Sequence, residues 1–165
     1  MQSKELQRKN LYIGKAGQFV VMSEFLARGW NVAVPEVDVG DDIFVVRDEI
    51  GDFSRIQVKT AHATARKNGF SAQFNLPIEQ LRRLTSPELT YCFMIRFEDE
   101  WLKPIIIKRQ ILQLYYESQN LGSLVNDNLM LYFSRQNDKL VCSKIDFTEF
   151  INDFKWFPSL FEGEN

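Results

Sequence analysis

Sulfur and imidazole are scarce in this sequence. Its 165 residues include two cysteines, Cys92 and Cys142, and one histidine, His62. Zinc clusters and disulfide scaffolds need several such residues at short, regular spacing, so neither framework is available. Ser-His-Asp or Cys-His chemistry would have to run through His62 alone. An excess of one charge is also missing: 20 Lys and Arg face 22 Asp and Glu, a net charge of −2, unlike the cationic surface of a protein that coats nucleic acid. A polyanionic partner would therefore have to meet a local patch. No apolar run approaches the roughly 18 residues of a membrane span, and residues 1–13 (MQSKELQRKNLYI) are charged and polar rather than a basic start followed by an apolar stretch. These features imply a soluble, reducing, cytoplasmic protein with no membrane partner. Apolar and aromatic side chains are plentiful, at 45% and 13%. At this length they can fill one substantial core, so a single domain over residues 1–165 is expected.

The order of elements follows from apolar spacing and from the glycines and prolines that interrupt it. Residues 1–13 read as a solvated leader with some helical character. Gly14 opens a segment whose apolar positions suit a helix as far as Gly29. Residues 30–34 read as a strand stopped by Pro35, residues 43–46 as a short buried strand, and residues 53–60 as a third, together an antiparallel meander after a helix. Residues 61–69 are small, polar and basic and read as an exposed loop, and residues 70–76 as an edge strand. Pro77 suits the first turn of a short helix over residues 78–84. Strands follow at 91–97 and 105–108, and Ile111, Leu112, Leu114 and Tyr115 mark another helix. A hairpin around Asn137 and Asp138 joins strands 129–134 and 140–143. The spacing of Phe147, Phe150 and Phe154 predicts a helix over residues 147–155. There is no internal repeat and no low-complexity tract.

Charge is unevenly spread along this scheme. Residues 36–54 hold seven acidic side chains (Glu36, Asp38, Asp41, Asp42, Asp48, Glu49, Asp52) and one basic, Arg47. Residues 55–83 invert this, with six basic side chains (Arg55, Lys59, Arg66, Lys67, Arg82, Arg83) and one acidic, Glu79. Carboxylates that hold a cation beside lysines and arginines that hold a backbone would suit a metal-dependent enzyme acting on phosphate esters. Two ordinary solvated faces would look the same.

Side chains alternate along a strand, so Gln57 and Lys59 share one face of the third strand and Val58 points into the core. A hairpin closing symmetrically about Ile50 and Gly51 sets Asp42 opposite Lys59, with Gln57 its diagonal neighbour at roughly 7 to 8 Å. A one-residue slip would send these side chains to opposite faces. Asp42, the Gln57 amide oxygen and the Val58 carbonyl could then ligate a hard cation such as Mg²⁺, with Lys59 holding an attacking water or stabilising developing negative charge. The competing reading is an ion pair between Asp42 and Lys59 on an exposed sheet. Gly14, Lys15, Ala16 and Gly17 do not complete a GxxxxGK[ST] phosphate loop and read as a glycine-rich helix start, with Lys15 on the Gln18 side and within reach of a phosphate. His62 could act as a proton carrier or phosphate contact, or be an incidental loop residue.

The succession GKAGQFVVMSEFLARGW, NVAVP, DVGDDIFVV and IQVKT resembles the PD-(D/E)XK nuclease superfamily, especially its small bacterial resolvase-like and homing-endonuclease-like branches, over about residues 14–60. FNLPIEQL, YCFMIRF and PIIIKR are weakly similar to the peripheral part of such folds. The resemblance implies an α/β, restriction-endonuclease-like fold, a central mixed β-sheet flanked by helices, and a DNA endonuclease dependent on Mg²⁺ or Mn²⁺. By it Asp42 is the motif aspartate, Gln57 stands at the Asp/Glu position, Lys59 is the motif lysine and Gln18 stands where many relatives carry a helix glutamate. Substrate phosphates would lie across Lys15, Arg66 and Lys67. Gln18 and Gln57 each replace a carboxylate by an amide, which removes a negative charge but keeps an oxygen ligand. Asp38 or Asp41 could compensate. Glu24 could not, because six residues turn it about 120° around the helix from Gln18. Cutting both strands takes two sites, which makes a homodimer or higher homo-oligomer an expectation. The alternative is a catalytically inactive nuclease-fold protein that binds nucleic acid or a protein partner.

Overall fold

A computed structural model describes residues 2–37 and 40–161. The chain begins with one long helix, α1 (Gln2–Ala27), rather than a leader followed by a helix from Gly14. Its residues 4–12 are solvated, as the sequence implies, but Gly14 is no boundary. The glycine that proximity to the sheet requires is Gly17, where a Cβ would come within 2.2 Å of the Thr60 methyl. Downstream, Gln18, Val21 and Phe25 recur at helical spacing and form the buried stripe. Gly29, at φ +85°, ends the helix.

Three strands follow: β1 (Asn31–Ala33), β2 (Ile43–Arg47) and β3 (Asp52–His62), the expected antiparallel meander. The supposed exposed loop after it contains β4 (Thr64–Arg66), which folds back on β5 (Gly69–Pro77). β5 pairs with a later strand along its whole length and with β4 over residues 69–71, so its residues 72–77 keep the expected open edge. α2 (Ile78–Arg82) begins immediately after Pro77. Then come β6 (Leu89–Phe97), β7 (Glu100–Trp101), β8 (Ile105–Lys108) and α3 (Arg109–Gln119). β9 (Ser123–Val125), β10 (Asn128–Gln136), β11 (Lys139–Cys142) and β12 (Ile145–Asp146) complete the strands.

The first sheet runs β1-β2-β3-β6-β7, with β8 also on β6, and is mixed because β3 and β6 are parallel. This is the central mixed sheet and the α/β class the sequence implies. A second sheet, β12-β11-β10-β5-β4 with β9 on β10, is antiparallel throughout and was not legible as a separate layer. β6 explains how both fit. Residues 89–95 are all buried: Tyr91, Phe93 and Ile95 face a core shared with the second sheet, while Cys92 and Met94 face a core shared with α1. A strand buried on both faces reads as a continuous apolar run.

The helix expected over residues 147–155 is replaced by a single 3₁₀ turn, Thr148–Phe150, and an irregular tail. Its phenylalanines are buried, but in different places: Phe147 and Phe150 enter the core between the sheets, and Phe154 and Phe157 enter the core under α1. One helix face cannot serve two cores. The chain breaks between them at Asn152, whose φ is +56° and whose N–H bonds the Pro104 carbonyl at 2.7 Å. Among the described residues no helix is long and apolar enough to cross a membrane.

Candidate functional site

The site forms where β2 begins and β3 continues past it. β2 pairs only with residues 52–56 of β3, so residues 57–62 run on with β6 on one side and α1 over one face. The observed register places Ile43 opposite Ile56, and the Asp42 N–H donates to the Ile56 carbonyl at 2.9 Å. The expected pairing of Asp42 with Lys59 is thus two residues out of step. The turn is four residues long, 48–51, closed by bonds from Ile50 and Gly51 to the Arg47 carbonyl, where the sequence reading assumed two central residues. A shift of two preserves the alternation of faces, and Asp42, one residue before β2, still meets Gln57 through its side chain.

Asp42 is held by donors. The Gln57 amide nitrogen donates to Asp42 Oδ2, and the Val58 N–H donates to the same oxygen at 2.7 Å. The Gln18 amide nitrogen donates to the Asp42 carbonyl at 2.7 Å, and Lys15 Nζ donates to Gln18 Oε1 at 2.8 Å. Lys15, Gln18, Asp42 and Val58 line one cavity of about 700 Å³ beside α1. Lys59, on the same face of β3 as Gln57, is half-buried and lines a neighbouring groove of about 570 Å³, together with His62 and Arg66. Asn10 on α1 borders both. Lys67 sits exposed in the turn between β4 and β5 and lines neither. Of the two acids offered as compensation, Asp38 lies outside the described residues. Asp41 is buried in an ion pair with Arg55 at 3.0 Å and lines a different cavity.

The sequence reading missed Gln80. Its Nε2 on α2 donates to Gln57 Oε1 at 2.8 Å and to the Gly40 carbonyl at 2.9 Å. The polarity of this chain follows from its ends. A carboxylate and a carbonyl only accept, so the Gln57 nitrogen must face Asp42 and its oxygen must face Gln80. The expected oxygen ligand is therefore turned away from Asp42 in this arrangement. No spacing rule joins residues 57 and 80, because the β4–β5 hairpin lies between them.

The groups at the notch that could ligate a metal are oxygens, the Asp42 carboxylate and backbone carbonyls, while the amides of Gln18 and Gln57 turn their nitrogens toward Asp42. That suits a hard cation, and Mg²⁺ needs only one or two protein carboxylates when water and phosphate complete its shell. Among the described residues no group of three or more His, Cys, Asp or Glu could form a denser cage. Other chemistries are disfavoured. Burial pushes the Cys142 thiol up to about 11 and the Cys92 thiol higher still, so neither is a ready nucleophile. Burial, then Lys9 and Arg96, lower the His62 pKa, and it is neutral near pH 7.

A mixed sheet carrying its polar notch at the start of one strand, with a long helix over one face and a second sheet over the other, is a nuclease-like α/β fold. The structure of a bacterial homing endonuclease, I-Ssp6803I, aligns with 87% of this chain and 87% of its own at a TM-score of 0.51, with 14% sequence identity. At that identity the likeness is one of fold. No protein-family model matches the chain, and no curated protein matches it.

Proposed function

We propose that this protein is a metal-dependent DNA endonuclease of the PD-(D/E)XK type, hydrolysing phosphodiester bonds. The observation that carries the reading is the direct contact of Asp42, which lines one cavity, with Gln57 of β3, one alternation from Lys59, which lines the neighbouring groove. The nuclease fold of the structural neighbour supports it. Asp42 and the Val58 carbonyl would hold Mg²⁺ or Mn²⁺, with Gln57 as a further ligand if its amide turns. When bound, the cation supplies a polarised phosphate and an acidified water. Lys59 holds that water or stabilises charge on the phosphate, and Lys15 and Arg66 position neighbouring phosphates, with Lys67 further out. Cutting both strands calls for two copies of the site, hence a homodimer or a transient pair.

Incubating the purified protein with supercoiled, branched and single-stranded DNA in Mg²⁺ or Mn²⁺ tests this. Cleavage that Asp42→Ala and Lys59→Ala abolish is expected. No cleavage of any substrate, or cleavage unaffected by Lys59→Ala, rejects it. A second reading, a catalytically silent nucleic-acid or protein binder, is favoured by Gln18 and Gln57, which put amides where carboxylates would hold metal. Calorimetry separates the two: cation binding lost in Asp42→Ala supports the enzyme, and DNA binding indifferent to cation supports the binder.

A further inference from the structure

The outward face of the second sheet carries hydroxyls and amides along β4 and β5. Along β5, Ala72, Phe74 and Leu76 point into the core, so Ser71, Gln73 and Asn75 point out. On β10 the corresponding outward residues are Ser134, Tyr132 and Met130, directly opposite in register. On β4, Thr64 lies opposite Ser71. This ribbon borders the same groove as Lys59, and that groove's lining contains no aspartate or glutamate although the chain has 22 of them. It contributes Lys59 and Arg66 instead, with a neutral His62 beside them. A groove with cationic walls and an amide-bearing floor, in an acidic protein, is complementary to a polyanion that also carries hydrogen-bonding edges.

We infer that the β4–β5–β10 face is a duplex-DNA reading surface, with Gln73 and Asn75 on base edges in the major groove and Arg66 on a flanking phosphate. The inference rests on the endonuclease reading for the scissile strand but has its own geometry. Base edges lie open to side chains in the roughly 12 Å major groove of B-DNA, whereas the deep, narrow major groove of A-form RNA excludes them. Gln73 Nε2 donates to Asn75 Oδ1 at 3.0 Å, which orients both exposed amides and leaves a Gln73 oxygen and an Asn75 nitrogen outside the pair. Acceptor and donor side by side match the edge of adenine. Tyr132, 54% exposed and opposite Gln73, offers an apolar ring to the methyl of the paired thymine. Arg66 Nε donates to Ser71 Oγ at 2.9 Å, which fixes the guanidinium at the groove's edge. The surface therefore favours an A·T pair over Gln73 and Asn75.

Selection from a randomised duplex-DNA library in Ca²⁺, with single-stranded RNA as competitor, tests this. The wild type should enrich a site containing a fixed A·T pair. Gln73→Ala and Asn75→Ala, both at exposed positions, should relax preference at that pair about tenfold while keeping affinity for the unselected library. Arg66→Ala should weaken binding to all sequences alike and lower the slope of log K against log salt by about one unit. Enrichment of no site, an unchanged site in the two amide variants, or displacement by single-stranded RNA would overturn the inference. The two proposals can fail separately. Cleavage that needs Lys59 but ignores Gln73 and Asn75 removes the reading surface alone. Altered preference without any cleavage removes the nuclease and keeps the surface.

Discussion

Replacing Gln57 by glutamate tests the arrangement around Asp42 most directly. The amide nitrogen at position 57 donates to Asp42 Oδ2, so Gln57→Glu exchanges a donor for a second carboxylate at the same contact. Two unit charges about 4 Å apart at an effective dielectric near 20 repel by about 4 kcal/mol, far more than one lost hydrogen bond. In a chain of this size that lowers the melting temperature by roughly 10 °C near neutral pH. One carboxyl of the pair takes up a proton more readily than a free glutamate, so its folded pKa rises above the unfolded value. A raised carboxyl pKa contributes stability at low pH that is lost as pH increases through it. The deficit of the variant should therefore shrink from about pH 8 to about pH 5. Mg²⁺ should also restore it at high pH, since each tenfold excess of cation over its Kd returns about 1.4 kcal/mol. Thermal melts of both proteins, with Mg²⁺ and with chelator, at both pH extremes read all three effects. If Gln57→Glu melts with the wild type at high pH in chelator, or its deficit is indifferent to pH and Mg²⁺ alike, the two side chains do not meet and the assignment fails.

Two further substitutions probe the frame that holds this contact. Gly17→Ala gains about 1 kcal/mol of helix propensity but puts a Cβ within 2.2 Å of the Thr60 methyl and 3.2 Å of the Trp101 ring, and overpacking of about 1–3 kcal/mol should prevail. Urea titration should show Thr60→Ser, which deletes that methyl, rescuing Gly17→Ala, and strictly additive losses would refute the close approach. Arg109 is 2% exposed, ion-paired with Glu88 at 2.7 Å and bonded to the Leu81 carbonyl at 2.7 Å. Glu88→Ala should cost about 3 kcal/mol by stranding that guanidinium, and the double replacement Glu88→Leu with Arg109→Met should cost less than the single one. A double variant less stable than Glu88→Ala would show that the charge pair itself is the stabilising element.

The part of the site that could be read from sequence is the part governed by period two. Alternation put Gln57 and Lys59 on one face and Val58 on the other, and this survived a register error because the error was even. The register itself depends on turn length. Nothing in Asp48, Glu49, Ile50 and Gly51 distinguishes a four-residue loop from a two-residue turn when every position is turn-compatible. Gln80 was out of reach for a different reason. It arrives beside Gln57 through the crossing of the β4–β5 hairpin, a contact fixed by how two sheets stack. The second sheet was hidden for the same cause. Its strands alternate, apolar inward and polar outward, and only the pairing of β5 with β10 shows that they form a second layer. The C-terminal phenylalanines misled because a spacing of three and four is helical in period whether or not one core receives all the side chains.

The charge pattern has a sharper meaning once the contacts are known. The acidic stretch before β3 looked like a multi-carboxylate metal cage. Yet Asp41 is neutralised by Arg55, and Asp42 is surrounded by N–H donors. Of the acids in that stretch whose structure is described, only Asp42 reaches the cavity shared with Lys15 and Gln18. A notch with a single carboxylate holds a divalent cation weakly by itself, because the ion keeps most of its water. A DNA phosphate would add the missing negative oxygens, so cation and DNA should strengthen each other's binding by the same factor. Under the proposed nuclease reading, amides at Gln18 and Gln57 in place of two carboxylates are then compatible with activity. On that reading the amides lower the charge of the notch, and a polyanion brought in by the neighbouring groove would complete the cation's shell.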